Sequence, residues 1–227
     1  APHCINITSS STSEFDDIRR FCAPYEIVVS KNRFVYLVTN EEDAKILRTI
    51  NHFHKTLPEI NMKMQTGIIV DFRTRDVLRN ELEDDSYPLL YSQHIKDGKV
   101  VWPLGKEGEV IKTDKKSYLQ ENGDFLIVKR FTSKEESRRL QCGIYLKKKF
   151  DKFKYISTQN KVNFIKCASP CVTYGLYVLL NSTLYDCYYR ILNGSTQVNS
   201  TEINQMPVPE RHIIEEMGRE LMHQELS

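Results

Sequence analysis

A chain of 227 residues that is 40% hydrophobic and 27% charged, with 12 Tyr and 10 Phe, suffices for one large domain or two small lobes and is not globally disordered. Nine Gly and eight Pro exclude a collagen-like or low-complexity chain, and no apolar run approaches the ~18 residues of a membrane span. The net charge of +2 hides an uneven distribution of −3 over residues 1–128, +9 over 129–166 and −4 over 167–227, so the central stretch fits either a polyanion partner such as nucleic acid or a lysine-rich solvated surface.

The chain opens Ala1-Pro2-His3-Cys4, with neither an initiator Met nor a signal peptide, which suggests a piece excised from a longer polypeptide. Six cysteines stand at 4, 22, 142, 167, 171 and 187 without a Cys-x-x-Cys pair or a histidine near Cys167 and Cys171, so no zinc site is expected. Four Asn-x-Ser/Thr tripeptides begin at Asn6, Asn181, Asn193 and Asn199. Asn181 falls inside an apolar helical pattern where a glycan would not fit, so a reducing, cytoplasmic setting with free thiols is expected.

In chain order, residues 5–13 begin as a strand and end in a hydroxyl-rich loop, and Phe34 to Val38 reads as a strand. Thr39-x-x-Glu42 resembles a capping box, and Ile46, Leu47, Ile50, Phe53 and Leu57 continue a helical stripe to about residue 57. Thr66 to Arg73 is a turn entering a strand. The segments 87–91 and 100–103 are short and extended, and 105–117 is a loop. Phe125 to Val128 is an apolar strand core that runs into Lys129-Arg130, with those cations on opposite faces. Ser133-x-x-Glu136 is a second capping box, predicting a short helical turn that carries Arg138 and Arg139 ahead of a strand from Cys142 to Leu146. One long helix is predicted over about 174–192, stopped by Asn193-Gly194. A polar loop follows, in which Asn199-x-x-Glu202 caps one short turn, and an amphipathic helix closes the chain beyond Pro207 and Pro209. The fold class expected is α+β, with mixed short-strand sheets, a long buried helix and a C-terminal helix.

Catalytic signatures are missing: there is no Gly-x-Gly-x-x-Gly, Walker loop, His-Glu-x-x-His or Gly-x-Ser-x-Gly. Asp114-Lys115-Lys116 and Asp43-Ala44-Lys45 formally fit a nuclease triplet, but neither follows a buried strand with a second acid. The basic unit is more specific. Lys129, Arg130, Ser133, Lys134, Arg138 and Arg139 between two strands suit phosphate contacts, and Arg can also fork onto guanine; solvated cations paired with Glu135 and Glu136 are the alternative. Gln197 and Asn199 carry amides suited to adenine, or are a turn residue and a helix cap. Arg73 and Arg75 fit an ion pair with Asp71 or Asp76 as well as a phosphate contact.

Taken in order, Thr66-Gly67-x-x-Val70-Asp71-Phe72-Arg73, Tyr87-Pro88-Leu89, Val128 to Arg139, Leu180-Asn181-Ser182-Thr183-Leu184-x-Asp186, Gly194 to Glu202 and Pro207-x-Pro209 resemble the C-terminal, target-recognition half of adenine-N6 DNA methyltransferases of bacterial restriction-modification systems. The resemblance runs from about residue 5 to 209. The family's Asn-Pro-Pro-Tyr/Phe motif and Gly-rich S-adenosylmethionine loop do not occur in these residues. It implies trailing strands or linker of a missing N-terminal methyltransferase domain over 1–30, a target-recognition domain over 31–209 and a C-terminal helix over 210–227. The implied partners are double-stranded DNA and that missing domain, with no membrane. No cofactor is expected in this chain, S-adenosylmethionine being implied for the whole enzyme. A separate DNA-specificity subunit of a multisubunit restriction enzyme and a metal-dependent nuclease are the rival readings.

Overall fold

Phe125-Leu126-Ile127-Val128 has no polar face, and such a strand must be covered on both sides. The computed structural model of the chain, which describes residues 3–29 and 34–226, shows what covers it. In chain order its first half comprises β1 (Cys4–Ser9), β2 (Arg19–Pro24), α1 (Tyr25–Val28), α2 (Glu41–Ile50), β3 (Met64–Thr66), β4 (Leu78–Arg79), β5 (Ser86–Leu90), β6 (Ile95–Lys96), β7 (Lys99–Val100) and β8 (Val110–Lys112). Its second half comprises β9 (Gln120–Glu121), β10 (Asp124–Lys129), β11 (Cys142–Tyr145), β12 (Tyr155–Thr158), β13 (Val162–Cys167), α3 (Pro170–Asn181), α4 (Thr183–Leu192), α5 (Ser200–Gln205) and α6 (Arg211–Leu226). The fold is α+β. A mixed six-stranded sheet, ordered β3-β13-β10-β11-β7-β6, lies between helices on one face and a five-stranded sheet, β4-β8-β5-β12-β9, on the other.

Strand alternation divides β10 between two cores. Leu126 and Val128 join the helix-side core with Leu176, Leu180 and Tyr185, whereas Phe125 and Ile127 join Trp102, Tyr145, Phe150 and Ile156 between the sheets. Ala23, Ile27 and Val28 lie in the helix-side core, and so does Ile214 of α6. Helices α3 and α6 meet backbone to backbone. A Cβ on Gly175 would lie 1.8 Å from the Ile214 carbonyl oxygen, and one on Gly218 would lie 1.8 Å from that of Cys171.

Several elements differ from the sequence expectation. The predicted long helix is two helices: Ser182 is extended at ψ 152° and its hydroxyl accepts from Tyr185 N, so it ends α3 and caps α4. The apolar stripe conceals this break and misplaces the buried face of α4, which carries Tyr185, Tyr188 and Tyr189 while Leu184 and Cys187 are only half-buried. Helix α2 is capped by Asn40, whose amide oxygen accepts from Asp43 N at 2.9 Å, and Asp43 in turn accepts from Thr39, so Glu42 is not the boxing residue. The helix stops at Ile50 rather than 57. Val35 makes one bridge, to Val29, so 34–38 has no strand ladder among the described residues. Asp71–Arg73 is a 3-10 turn rather than the start of a strand, and the 105–117 stretch contains β8.

Ser133 N donates to Glu136 Oε1 at 2.7 Å, half of the expected box, but no helix follows; residues 133–139 are successive turns. Cys4 and Cys22 are joined by a disulfide, against the expected free thiols. The β1–β2 register sets Asn6 opposite Cys22 and Cys4 opposite Pro24, which makes the two cysteines diagonal neighbours with Cα atoms 6.1 Å apart. Cys142, Cys167, Cys171 and Cys187 are free. No described helix is long and apolar enough to cross a membrane. The expected boundary at 30–31 lies outside the described residues.

Candidate nucleic-acid interface

At the C-terminal end of β10 the chain turns outward, and two segments far apart in sequence are stitched together. Phe131 bridges Gln197, Thr132 N donates to the Thr196 carbonyl at 3.0 Å, and Val198 N donates to that of Arg130 at 2.7 Å. The basic unit and the polar amide loop therefore form one surface. On it Lys129 Nζ donates to Gln141 Oε1, 2.6 Å away, and Arg130 NH1 to the Asn160 carbonyl, 2.9 Å away. The Arg130 guanidinium also lies over the ring of Phe131, which is 48% exposed.

The 133–139 turn is held from behind by Asp186, which is 4% exposed. Its Oδ1 accepts from Arg139 N at 2.5 Å and from Leu140 N at 3.4 Å. Its Oδ2 pairs with Arg190 Nε at 2.8 Å, and the other two Arg190 nitrogens donate to the carbonyls of Lys134 and Glu136 at 2.8 Å. A backbone bond from Ser133 and a side-chain bond from Gln141 hold the Glu136 carboxyl below its ordinary value; the Ser133 hydroxyl does the same for Glu135. Both acids are thus ionised and committed within the turn.

The predicted residues are placed unequally. Lys134 is exposed and makes no ion pair among the described residues. Arg138 is half-buried, with NH2 donating to Thr183 Oγ1 at 3.1 Å. Arg139, expected beside it as a phosphate contact, is 1% exposed: Nε donates to Thr132 Oγ1, NH2 to the Ser195 carbonyl at 2.5 Å, and the guanidinium covers the Tyr189 ring. It ties the basic turn to the amide loop from inside. The Ser133 hydroxyl is bonded to Glu135. Asn199 is the N-cap of α5, its amide oxygen accepting from Thr201 N at 3.0 Å, while the side-chain amide of Gln197 has no hydrogen bond among the described residues.

Beyond Arg130 the surface continues into a cleft of ≈ 870 Å³ lined by Phe72, Arg75, Arg79, Lys106, Asn160 and Lys161, with Asp71 and Glu107 also on its wall. Arg73 and Arg75 form no ion pair with Asp71 or Asp76 among the described residues. Arg73 lies over the ring of Phe72, which is 67% exposed, and Asp71 accepts instead from Gln159 Nε2 at 2.7 Å. Buried Gln159 also accepts from Lys161 N at 2.7 Å, which fixes the Asn160-Lys161 turn. Lys106 sits over the Tyr91 ring, 3.8 Å from its centre. Phe131, Lys161, Lys106 and Arg190 were not singled out in the sequence. Lys161 had one available signal, a polar Gln-Asn-Lys turn between two apolar runs. Among the described residues no group of three or more His, Cys, Asp or Glu is arranged to hold a metal.

No protein-family model matches the chain. Over 225 residues it is 33% identical to the type II methyltransferase M.BsuBI of Bacillus subtilis, covering 95% of this chain and 44% of that protein. The chain is similar to type II methyltransferases. A second relative, the type II methyltransferase M.PstI of Providencia stuartii, is 29% identical over 228 residues, with 96% of this chain and 45% of that protein covered. The chain thus spans less than half the length of the curated relatives it matches. A solved structure described as a type I R-M system aligns over 81% of this chain and 46% of its own with 10% identity and a TM-score of 0.45.

Proposed function

We propose that this chain is the DNA-recognition part of an adenine-N6 methyltransferase, working with a methyltransferase domain supplied elsewhere in the same polypeptide. One observation carries the reading: the Phe131–Gln197 bridge joins a basic turn and an uncommitted amide on a single braced surface. That pairing meets both needs of site selection. Cations set register on phosphates, and amide or guanidinium groups read base edges. Lys134, Arg130 and the cleft's Arg75 and Lys161 are the phosphate contacts in this reading, and Gln197 is the base reader. The residues 1–30, 31–209 and 210–227 are then linker, recognition domain and closing helix.

S-adenosylmethionine supplies the methyl group to the whole enzyme in this reading. No residue here is assigned to that cofactor. The role of the described side chains is to hold and choose duplex DNA while the target adenine is flipped into the other domain.

The test is parallel titration of cognate and scrambled duplexes at several salt concentrations, using the intact parent enzyme. Replacing Lys134 by Ala should weaken both complexes alike and reduce the salt slope by about one unit. Gln197→Ala should cost about 1–3 kcal/mol on the cognate site alone. Equal losses on both duplexes for Gln197→Ala would remove the amide loop as a base reader.

A further inference from the structure

Asparagine is favoured in turns because its side chain bonds nearby backbone or because its backbone tolerates the left-handed conformation. Asn160, in the turn between β12 and β13, uses neither property. Its φ is not positive, and its half-buried side-chain amide, on the wall of the cleft, makes no hydrogen bond among the described residues. Its backbone is held on both sides. Asn160 N donates to the Ile69 carbonyl at 2.8 Å, and its own carbonyl accepts from Arg130 NH1 at 2.9 Å. Buried Gln159, just before it, is bonded through its side chain to Asp71 and to Lys161 N, and its carbonyl accepts from Val162 N at 3.1 Å. The turn fixes this amide in place and leaves it unused.

Backbone pairing ties that turn to the recognition surface. Arg130 N donates to the Lys161 carbonyl at 3.0 Å on one side, and Val198 N donates to the Arg130 carbonyl at 2.7 Å on the other. Residues 160–161, 130–131 and 197–198 are therefore neighbouring segments, with 130–131 in the middle. Two inter-strand spacings put the outer pair, Asn160 and Gln197, about 10 Å apart. Both are half-buried amides. Phe131, on the middle segment, is 48% exposed, and such a ring meets a thymine methyl but offers a phosphate nothing. Arg75, Lys106 and Lys161 outweigh Asp71 and Glu107 on the cleft wall, Arg79 being paired with Glu83 at 3.5 Å. The amides thus stand beside a wall that suits phosphates, as a base reader must.

We propose that Asn160 is a second base-reading residue, taking an adenine edge about three base steps from the one that Gln197 takes on the same duplex. The proposal rests on the DNA-recognition reading above and adds to it a residue, a base and a spacing. A primary amide combines a donor with an acceptor, the pair that adenine N7 and N6 complement in the major groove. Successive base pairs lie about 3.4 Å apart along the duplex, so a separation of about 10 Å is three steps. Rigidity sharpens the choice. An amide already held in place loses little freedom on meeting adenine, and before a wrong base it stays unpaired where water is scarce.

The experiment selects duplexes from a randomised pool on the intact parent enzyme, sequences those retained, and repeats the selection with Gln197→Ala, Asn160→Ala and Asn160→Asp. Asn160→Ala should lower the preference for A·T at one base pair by ~5-fold or more, about three steps from the pair relaxed by Gln197→Ala. Its retention of scrambled duplex should stay within about 2-fold of wild type at every salt concentration, because no phosphate contact is lost. Asn160→Asp keeps the size of the turn residue but exchanges its donor for a second acceptor. It should turn the preference at that same pair from A towards C, whose N4 amine donates, and it carries the test if the Ala variant does not fold. Unchanged preferences in both Asn160 variants, a loss equal on all sequences, or relaxation at the pair read by Gln197 or more than about four steps from it overturns the proposal alone. If Gln197→Ala relaxes no pair, the place given to Gln197 falls and the paired reading with it. A parent enzyme that retains DNA without sequence preference, or retains none, overturns the DNA-recognition reading and this proposal together.

Discussion

Asp186→Ala removes the clamp behind the basic turn, and its cost follows from what is left unpaired. Arg139 N and Leu140 N lose a carboxylate acceptor in a site from which water is excluded. A hydrogen bond to a charged group contributes roughly 1.5–3 kcal/mol, and the longer 3.4 Å bond to Leu140 belongs at or below the lower limit. Arg190 loses its partner too, but its side chain is 34% exposed, so solvent screening reduces that share to at most ~1 kcal/mol. The sum is ~3–4 kcal/mol, at the lower end of what breaking a buried charge pair costs. Asp186→Asn retains an oxygen for the two amide protons and gives up the charge, for ~1–2 kcal/mol. Urea denaturation followed by circular dichroism should rank wild type, Asn and Ala in that order. Binding by folded Asp186→Ala in the parent enzyme should weaken equally on cognate and scrambled DNA, because the loss is turn rigidity. A shift under ~0.5 kcal/mol for the Ala variant, or an Asn variant as damaged as Ala, would refute the clamp.

The helix crossing gives a second expectation: Gly175→Ala and Gly218→Ala each force a methyl group onto a backbone carbonyl, and each should lower stability by about 3 kcal/mol or more, the upper range for overpacking. Unchanged denaturation midpoints would contradict the close approach. A third concerns pH. Burial pushes the His94 imidazole below its ordinary value despite its bond to Glu109, 2.9 Å away. Burial pushes Glu109 up, but bonds from His94, Leu104 N and Gly105 N outweigh it and hold the carboxyl down. Both groups bind fewer protons folded than unfolded, so their stabilisation is complete above about pH 6.5 and is lost as pH falls through the folded values, His94 first. Denaturation midpoints should therefore drop between pH 7 and 5, and His94→Leu should flatten the part of that profile set by the imidazole.

The sequence made β10 legible because four apolar residues in a row leave few alternatives. It also announced α6 and the end of α4, where an amphipathic period and Asn193-Gly194 agree with the tertiary demand. It could not show the break at Ser182, since an N-cap serine in a continuous apolar stripe looks like any tolerated polar residue. At the site, local chemistry placed a turn between two strands but gave it a helical form that the structure lacks, and it did not show its members' depth. Arg139 and Arg138 are adjacent, yet one is a buried tie between segments 56 residues apart, a contact that no local pattern encodes. Asn199 was open between base reader and cap, and the structure uses its oxygen as the cap. The charge tally was blind to topology: an antiparallel return splits one basic stretch between two ends of a sheet. The Cys4–Cys22 pairing likewise depends on register, which is set across 18 residues rather than within them.

The contact between Gly175 and Gly218 also restricts how the chain's end can vary. Where helices meet through side chains, one can slide by a fraction of a turn and repack. Here a shift of one residue would drive Met217 or Arg219 into a space that admits a hydrogen atom, so α6 has one seat, like a key with a single cut. A residue inserted between Val208 and Arg211 cannot be absorbed by sliding. It must be taken up as a bulge in the connection, or the whole last helix is lifted away. Length in that short connection is therefore fixed more strictly than composition.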